Sequence, residues 1–155
     1  MTTINRELTL TFPEGFHEMT GAELSGLRFI EEGPAACFAN PDRHMIVTVG
    51  WKEVNMLKQA LLIFADPVEN MKGFIQEAFE PYSYRFERYL SGPIGTRTAG
   101  GLAYGYTAQD IRMVAEAWAL KSGGCLYYFN VYTREALRDE NLPVWRELLA
   151  SAQWA

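Results

Sequence analysis

Glu116 is the residue of this sequence whose type and position most suggest chemistry. It lies between two alanines in an alternating segment that predicts a β-strand, and Arg112 lies earlier on the same face of that strand. The expected strand pairing adds Tyr104 and Tyr106 to that face. A carboxylate among aromatic rings stays charged only where a cation or hydrogen bonds hold it. The four residues therefore define a candidate pocket that binds a polar group, or in which Glu116 is a general base.

A structural role for the same residues is the alternative, and we favour it. Glu116 and Arg112 would then form an ion pair at the rim of the sheet, or a charged edge that deters aggregation. Structural ion pairs perturb carboxylates just as active sites do, so the pattern alone does not identify an active site.

Patterns typical of enzymes and metal centres are missing from the sequence. Two histidines, His17 and His44, are too few for a His-rich zinc centre, and the segment 17–21 lacks the second histidine of a zinc-protease helix. No Gly-x-Ser-x-Gly elbow occurs, and the glycines at 92, 95, 100 and 101 match neither phosphate-binding fingerprint. We therefore expect no catalytic residue, no metal and no cofactor, in a protein that is not an enzyme.

The composition indicates one folded domain over residues 1–155. Apolar residues make up 48% of the chain and aromatic residues 14%, which supplies a core without disulfides. A net charge of -5 argues against nucleic acid and against anionic membranes, since both attract basic surfaces. No apolar run approaches the roughly 20 residues that span a bilayer, and the N-terminus lacks the pattern of a signal peptide. We expect a soluble cytoplasmic protein.

Cys37 and Cys125 each lie in a predicted strand beside apolar residues. Two buried free thiols are the expected state, because unpaired cysteine is among the most buried residue types. A disulfide between them is the alternative and would suit an oxidising compartment.

The last third of the chain predicts three antiparallel strands and a closing helix. The strands are expected at 101–107, 111–121 and 126–132, and the helix at 142–152. The two glycines at 123 and 124 predict a two-residue turn that sets Glu116 opposite Val131. The preceding connection predicts Ala103 opposite Ala115. One face would then carry the large apolar residues Leu102, Tyr104, Val114, Trp118, Tyr127, Phe129 and Val131.

The first two thirds add further strands and a central helix. Strands are expected at 7–12, 35–39, 44–52 and 84–90, with a turn at 40–43. Asp66 followed by Pro67 predicts the start of a helix that runs to Phe79, and Thr20 with Glu23 predicts the cap of a short helix at 20–28. Since both faces of the sheet are apolar, the fold class is α+β, an antiparallel sheet of about six strands with helices on both faces.

Residues 55–65 form a segment too apolar for an ordinary loop. It is either a short element buried in the core or an exposed apolar surface that pairs with a second chain. In the second interpretation Met56, Leu57, Leu61 and Phe64 contact the partner, and a homodimer forms.

The order of these elements, with the start Phe12-Pro-Glu-Gly-Phe16, resembles the PsbP-like superfamily. That α/β/α sandwich group includes the Ran-binding Mog proteins, the photosystem PsbP subunits and the bacterial DcrB-like proteins, and the likeness covers nearly the whole chain. It implies a binding or assembly protein, and one bacterial branch consists of small dimeric chaperones that shield apolar segments of secreted effectors. No Ran-binding or photosystem-binding surface is recognisable, so only the expectation of a non-catalytic protein partner transfers.

Two functional hypotheses follow from the sequence. The leading one is a soluble, non-enzymatic, dimeric protein that holds a protein or peptide partner through the aromatic sheet face or residues 56–64. The rival is a small-ligand binder, or a weak hydrolase or isomerase, built around Glu116.

Overall fold

The structure is a computed structural model that describes residues 1–24, 35–53 and 66–155. Its strands, in chain order, are β1 (Thr2–Ile4), β2 (Leu8–Leu10), β3 (His17–Glu18), β4 (Ala35–Asn40), β5 (Met45–Glu53), β6 (Arg85–Ile94), β7 (Arg97–Ala108), β8 (Ile111–Ser122), β9 (Cys125–Arg134) and β10 (Gln153–Trp154). Its α-helices are α1 (Gly21–Leu24), α2 (Pro67–Phe79) and α3 (Arg138–Ala150). Short 3₁₀ turns cover Pro41–Arg43, Glu80–Tyr82 and Glu135–Leu137.

An antiparallel sheet of seven strands in the order β3-β4-β5-β9-β8-β7-β6 forms the centre of the fold. One face, here called the aromatic face, carries Trp118, Tyr127 and Phe129 and is covered by Trp145 and Leu148 of α3. The other, here called the alanine face, is covered by α2 through its buried residues. It carries Leu102, Tyr104, Tyr106, Ala115, Ala117 and Ala119, under Met71, Ile75 and Phe79. The predicted fold class, with helices on both faces of an antiparallel sheet, is confirmed.

Helix α2 begins where the sequence predicts. The Asp66 carboxylate accepts hydrogen bonds from the Val68 and Glu69 amides at 2.9 and 3.4 Å, and Pro67 occupies the first helical position, where its missing N–H costs nothing. The short helix α1 has the predicted cap as well. The Thr20 amide donates to Glu23 at 3.0 Å, and the Glu23 amide donates to Thr20 Oγ1 at 3.3 Å.

Helix α3 begins at Arg138, four residues before the predicted start at Leu142. The buried Asn141 fixes this earlier turn, because its amide donates to Thr133 Oγ1 at 2.7 Å and to the Arg43 carbonyl at 2.8 Å. Pro143 is therefore inside the helix.

The N-terminal strand expected at 7–12 is not part of the seven-stranded sheet. Residues 1–10 instead form the hairpin β1-β2, whose turn has left-handed Asn5 and Arg6, and β10 completes a separate three-stranded sheet. Leu8 and Leu10 are fully buried because they extend the core under the aromatic face. One edge strand of the main sheet is the two-residue β3, and the other is β6.

The two cysteines lie on opposite sides of the sheet, and both are free and buried. Cys37 pairs with Thr48 on the alanine face, whereas Cys125 belongs to the core under the aromatic face. Free buried thiols are thus confirmed, and the disulfide alternative is wrong. Within residues 1–24, 35–53 and 66–155, no helix is long and apolar enough to cross a bilayer.

Candidate functional site

Glu116 is buried in an ion pair with α3. Its side chain is 2% exposed, and Arg146 Nη1 and Nη2 donate to Oε1 and Oε2 at 2.5 and 2.6 Å. The indole N–H groups of Trp118 and Trp145 each donate to Oε1 at 3.0 Å. The cavity beside the carboxylate is about 20 Å³ in volume, room for about one water molecule. These contacts hold the charge of Glu116 and leave no space for a substrate.

The four residues predicted to share a pocket do not come together. Tyr104 and Tyr106 lie on the alanine face, opposite to Glu116. Arg112 shares the face of Glu116, but its Nε donates to Glu135 at 3.1 Å, so the predicted Glu116–Arg112 pair is wrong as well. Tyr104 is fully buried among Phe79, Tyr84 and Tyr106, and burial raises the pKa of its hydroxyl well above the ordinary value.

The wrong placement of Tyr104 and Tyr106 on the face of Glu116 results from a turn that contains no glycine. The pairing of β8 with β9 is as predicted, with Glu116 opposite Val131. The β7–β8 connection is a two-residue turn centred on Gln109 and Asp110, both left-handed, so Ala103 pairs with Glu116 instead of Ala115. A shift of one residue moves every side chain of a strand to the other face. The tyrosines of β7 are therefore separated from Glu116.

Arg146 is the ion-pair partner of Glu116, and the sequence analysis did not identify it. It follows Trp145, which is buried on the inward side of α3, and 44% of the Arg146 side chain is exposed. Its guanidinium also lies over the Trp118 ring, 5.7 Å from the centroid. One sequence feature indicates this partner. Arg146 is a cationic residue next to the buried side of a helix that must cover the sheet face carrying Glu116.

The alanine face carries a cavity of about 590 Å³ at the end of the sheet where the β4–β5 and β7–β8 turns lie. Its wall is mostly apolar and includes Met19, Ile46, Tyr106, Met113 and Tyr132. Ligand sites commonly measure between roughly 300 and 1,000 Å³, so the cavity has the size of a binding site. Tyr106 is thus the predicted site residue that lines it; burial raises the pKa of its hydroxyl above the ordinary value.

The two turns that frame this cavity are fixed by their own hydrogen bonds and dihedrals. Asn40 accepts from the Arg43 amide at 3.3 Å and donates to the Glu14 carbonyl at 3.4 Å, which holds the β4–β5 turn. His44 then takes the left-handed conformation. The Gln109-Asp110 turn places Ala108 on one side of the opening and Ile111, which is 37% exposed, on the other. The opening is therefore set by backbone geometry on both sides.

Besides the two tyrosines, three ionisable side chains lie at the cavity, namely Glu23, His44 and Arg134. Glu23 is engaged by His17 Nε2 at 3.0 Å and by the Thr20 amide, and these hydrogen bonds lower the pKa of its carboxyl, the Thr20 bond most. Arg134 is the last residue of β9, opposite Met113, and is half-buried. In the ranges that the structure describes, no three His, Cys, Asp or Glu side chains come together as a metal site would require.

The partner surface predicted from Met56, Leu57, Leu61 and Phe64 lies outside the described residues. It remains a prediction.

Comparisons with known proteins find likeness in structure alone. No family model matches the chain, and no curated protein sequence matches it significantly. The solution structure of cyanobacterial PsbP (CyanoP) from Synechocystis sp. PCC 6803 matches with a TM-score of 0.65 at 14% identity, over 96% of this chain and 93% of that one. LpqN of Mycobacterium tuberculosis, described as involved in cell envelope biogenesis, matches with a TM-score of 0.56 at 11% identity, over 96% and 83%.

A third match is a protein solved with a peptide. The immunity protein TplEi of Pseudomonas aeruginosa, complexed with an "L" peptide, matches with a TM-score of 0.54 at 10% identity, over 90% of this chain and 58% of that one. At such identities the likeness concerns the fold. The resemblance expected from the sequence is confirmed at that level, and the chain has the PsbP-like fold.

Proposed function

We propose that this chain is a non-enzymatic binding protein that takes an apolar segment of a protein or peptide partner into the cavity on the alanine face. The observation that carries the proposal is the cavity itself, about 590 Å³, mostly apolar and framed by two fixed turns. Met19 and Met113 line it with partly exposed side chains. Methionine side chains are flexible and polarisable, and they are common at surfaces that accept varied apolar partners.

The comparisons support a binding role without specifying it. TplEi, of which this chain matches 58%, was solved in complex with a peptide, and this supports a peptide as the partner. The hydrolase or isomerase alternative requires a carboxylate that a substrate can reach. Both oxygens of Glu116 are held by Arg146 instead, and Glu116 is 2% exposed. We therefore assign Glu116 to the stability of the fold.

A small-ligand binder is the second candidate function, with its ligand in this same cavity instead of beside Glu116. The volume of about 590 Å³ favours it, because drug-sized molecules occupy sites of this size. The homodimer and the cytoplasmic location expected from the sequence stay predictions. Native mass spectrometry tests both the dimer and a retained small molecule, since each changes the measured mass.

Methyl-labelled methionine provides the direct test of the site. A random dodecapeptide library displayed on phage is selected against the protein, and synthetic peptides from the selected pool are titrated into [¹³C-methyl]methionine-labelled protein. Met19 and Met113 line the cavity, whereas Met71 lies on the buried face of α2, away from the cavity wall, and serves as an internal control. We expect the Met19 and Met113 methyl signals to shift and the Met71 signal to stay.

A pair of alanine-to-tryptophan variants separates the cavity from the rest of the surface. Ala108→Trp places an indole at the cavity wall, and Ala35→Trp places one at an exposed site at the start of β4. Binding lost only in the Ala108 variant supports the proposal. Peptides that bind both variants equally, or shift only Met71, would place binding elsewhere, and a library that yields no binder would overturn the peptide function.

A further inference from the structure

We propose that the bound segment carries an acidic side chain next to its apolar residue, and that Arg134 binds that carboxylate. This inference rests on the proposed function, because it names the chemistry of the partner at the same cavity.

Arg134 is placed to meet a ligand in the cavity. It ends β9 two residues after Tyr132, so both side chains are on the alanine face, and its backbone pairs with Met113 of β8. Tyr132, Met113 and Arg134 all line the cavity. The guanidinium is therefore available at the edge of an apolar wall.

Arg134 has no partner within the described part of the chain. The adjacent Glu135 is bound by Arg112 at 3.1 Å and is 3.9 Å from Arg85. The carboxylate at the cavity, Glu23, is held by His17 and the Thr20 amide. Both nearby acidic groups thus have other partners, and Arg134 forms no ion pair or side-chain hydrogen bond with any described residue.

Three other arginines of the described chain are bound by a carboxylate. Arg146 binds Glu116, Arg138 binds Glu87 at 2.6 Å, and Arg112 binds Glu135. Arg134 differs from these three in lining a cavity while lacking an acid. A guanidinium presents several N–H donors in a planar fork that matches a carboxylate, so the missing partner is most simply an acid from the ligand.

The setting also strengthens such a contact. Charges at an apolar wall interact more strongly than charges in open water, because the local dielectric constant is lower. The chain carries a net charge of -5, so an acidic segment gains no long-range attraction from the protein as a whole. Recognition must then depend on the short-range, directional contact with Arg134 and on burial of the neighbouring apolar residue.

The phage library gives the first test, by selection in parallel against the wild type, Arg134→Gln and Arg112→Gln. Arg112 is the matched control, because it is an exposed arginine on the other face of the sheet. We expect Asp or Glu beside an apolar residue to be enriched with the wild type and with Arg112→Gln, and the enrichment to disappear with Arg134→Gln. Thermal unfolding confirms that each variant is folded, and Arg134→Lys, which keeps the charge, should retain part of the preference.

A double-mutant cycle on one selected peptide gives the second test. Replacing its acidic residue by the corresponding amide should weaken binding about tenfold with the wild type and hardly at all with Arg134→Gln, in line with a charged hydrogen bond. An equal loss with both proteins overturns the role of Arg134. If peptides bind the cavity, shift its methionines and show no acidic preference, this inference fails while the proposed function stands.

Dodecanoate tests the other source of an acid next to an apolar group. If dodecanoate shifts the cavity methionines in an Arg134-dependent manner and no peptide binds, the occupant is a free apolar acid, and the peptide assignment is overturned along with the proposed function. If dodecanoate does not bind while acidic peptides do, the assignment to a peptide segment is supported.

Discussion

Arg146 on α3 and Glu116 on β8 form a two-point ion pair across the interface between the closing helix and the sheet, with N–O distances of 2.5 and 2.6 Å. The two tryptophan N–H groups on Glu116 Oε1 complete its shell. Removing one partner of a buried pair leaves the other without its counter-charge, which costs more than losing an exposed pair. The burial of each partner therefore predicts which substitutions destabilise the protein most.

Arg146→Gln should destabilise the protein most, by roughly 3 kcal/mol, because it leaves the buried Glu116 uncompensated. Glu116→Gln should cost less, about 1–2 kcal/mol, since the released Arg146 is 44% exposed and can be hydrated. Arg112→Gln breaks an exposed pair and should cost less than about 1 kcal/mol. Urea unfolding followed by tryptophan fluorescence measures all three. Equal losses for Arg146→Gln and Arg112→Gln would contradict the structural assignment of Glu116.

The β7–β8 turn predicts a substitution that stabilises the protein. Gln109 and Asp110 have φ angles of 51° and 64°, a region in which glycine is favoured over other residues. Asp110→Gly should therefore stabilise the protein by about 0.5–1 kcal/mol, because the strain removed exceeds the added entropy of the unfolded chain.

Gly124 is the control for this substitution. It has a φ of 80° in the β8–β9 turn, so Gly124→Ala should destabilise by about 1 kcal/mol. The midpoint of thermal unfolding reports both variants. A loss of stability in Asp110→Gly would mean that the Asp110 side chain holds the turn in some other way.

These turns also explain how far the sequence predicts the site. The Gly123-Gly124 pair predicts a two-residue turn, and the pairing of β8 with β9 follows correctly from that turn. Gln109-Asp110 carries no such signal, so a shift of one residue put Tyr104 and Tyr106 on the face of Glu116. A local pattern determines helix α2, whose cap and proline are adjacent in sequence.

The cavity could not be predicted in the same way. Met19, Ile46, Tyr106, Met113 and Arg134 line it together, yet they come from five separate segments of the chain. Their approach depends on the strand order, in which β5 lies beside β9 and not beside the next strand in sequence. The partner of Glu116 was missed for a related reason, because Arg146 reaches it from a helix thirty residues later. Such contacts follow from the assembled fold and have no local signature.

The cysteines provide a chemical test of the sheet faces. Both are buried, and burial, together with the charge of Glu18, raises the pKa of the Cys37 thiol. Because the thiolate is the reactive form, Ellman's reagent should react slowly with the folded protein. In guanidinium chloride it should react with both thiols, without any reductant. Cys125→Ala isolates Cys37 for the same assay. Rapid reaction of Cys37 in the folded state would show that this part of the alanine face is open.

The buried tyrosines predict loss of stability at alkaline pH. Burial raises the pKa of Tyr104, Tyr106 and Tyr127 above the ordinary value of 10, and for Tyr127 the hydrogen bond to Glu7 adds to the effect. Below pH 10 these hydroxyls are protonated in both states, and their contribution is fully present. Above pH 10 the unfolded chain releases protons that the folded protein retains, so the free energy of unfolding falls.

The expected slope is up to about 1.4 kcal/mol per pH unit for each such tyrosine. Urea unfolding at pH 8, 10 and 11 measures the slope, and absorbance at 295 nm follows ionisation of the folded protein. Tyr104→Phe should reduce the slope by up to the contribution of one tyrosine. Stability that stays constant up to pH 11, with complete tyrosine ionisation in the folded state, would contradict the burial of Tyr104 and with it the placement of β7 under α2.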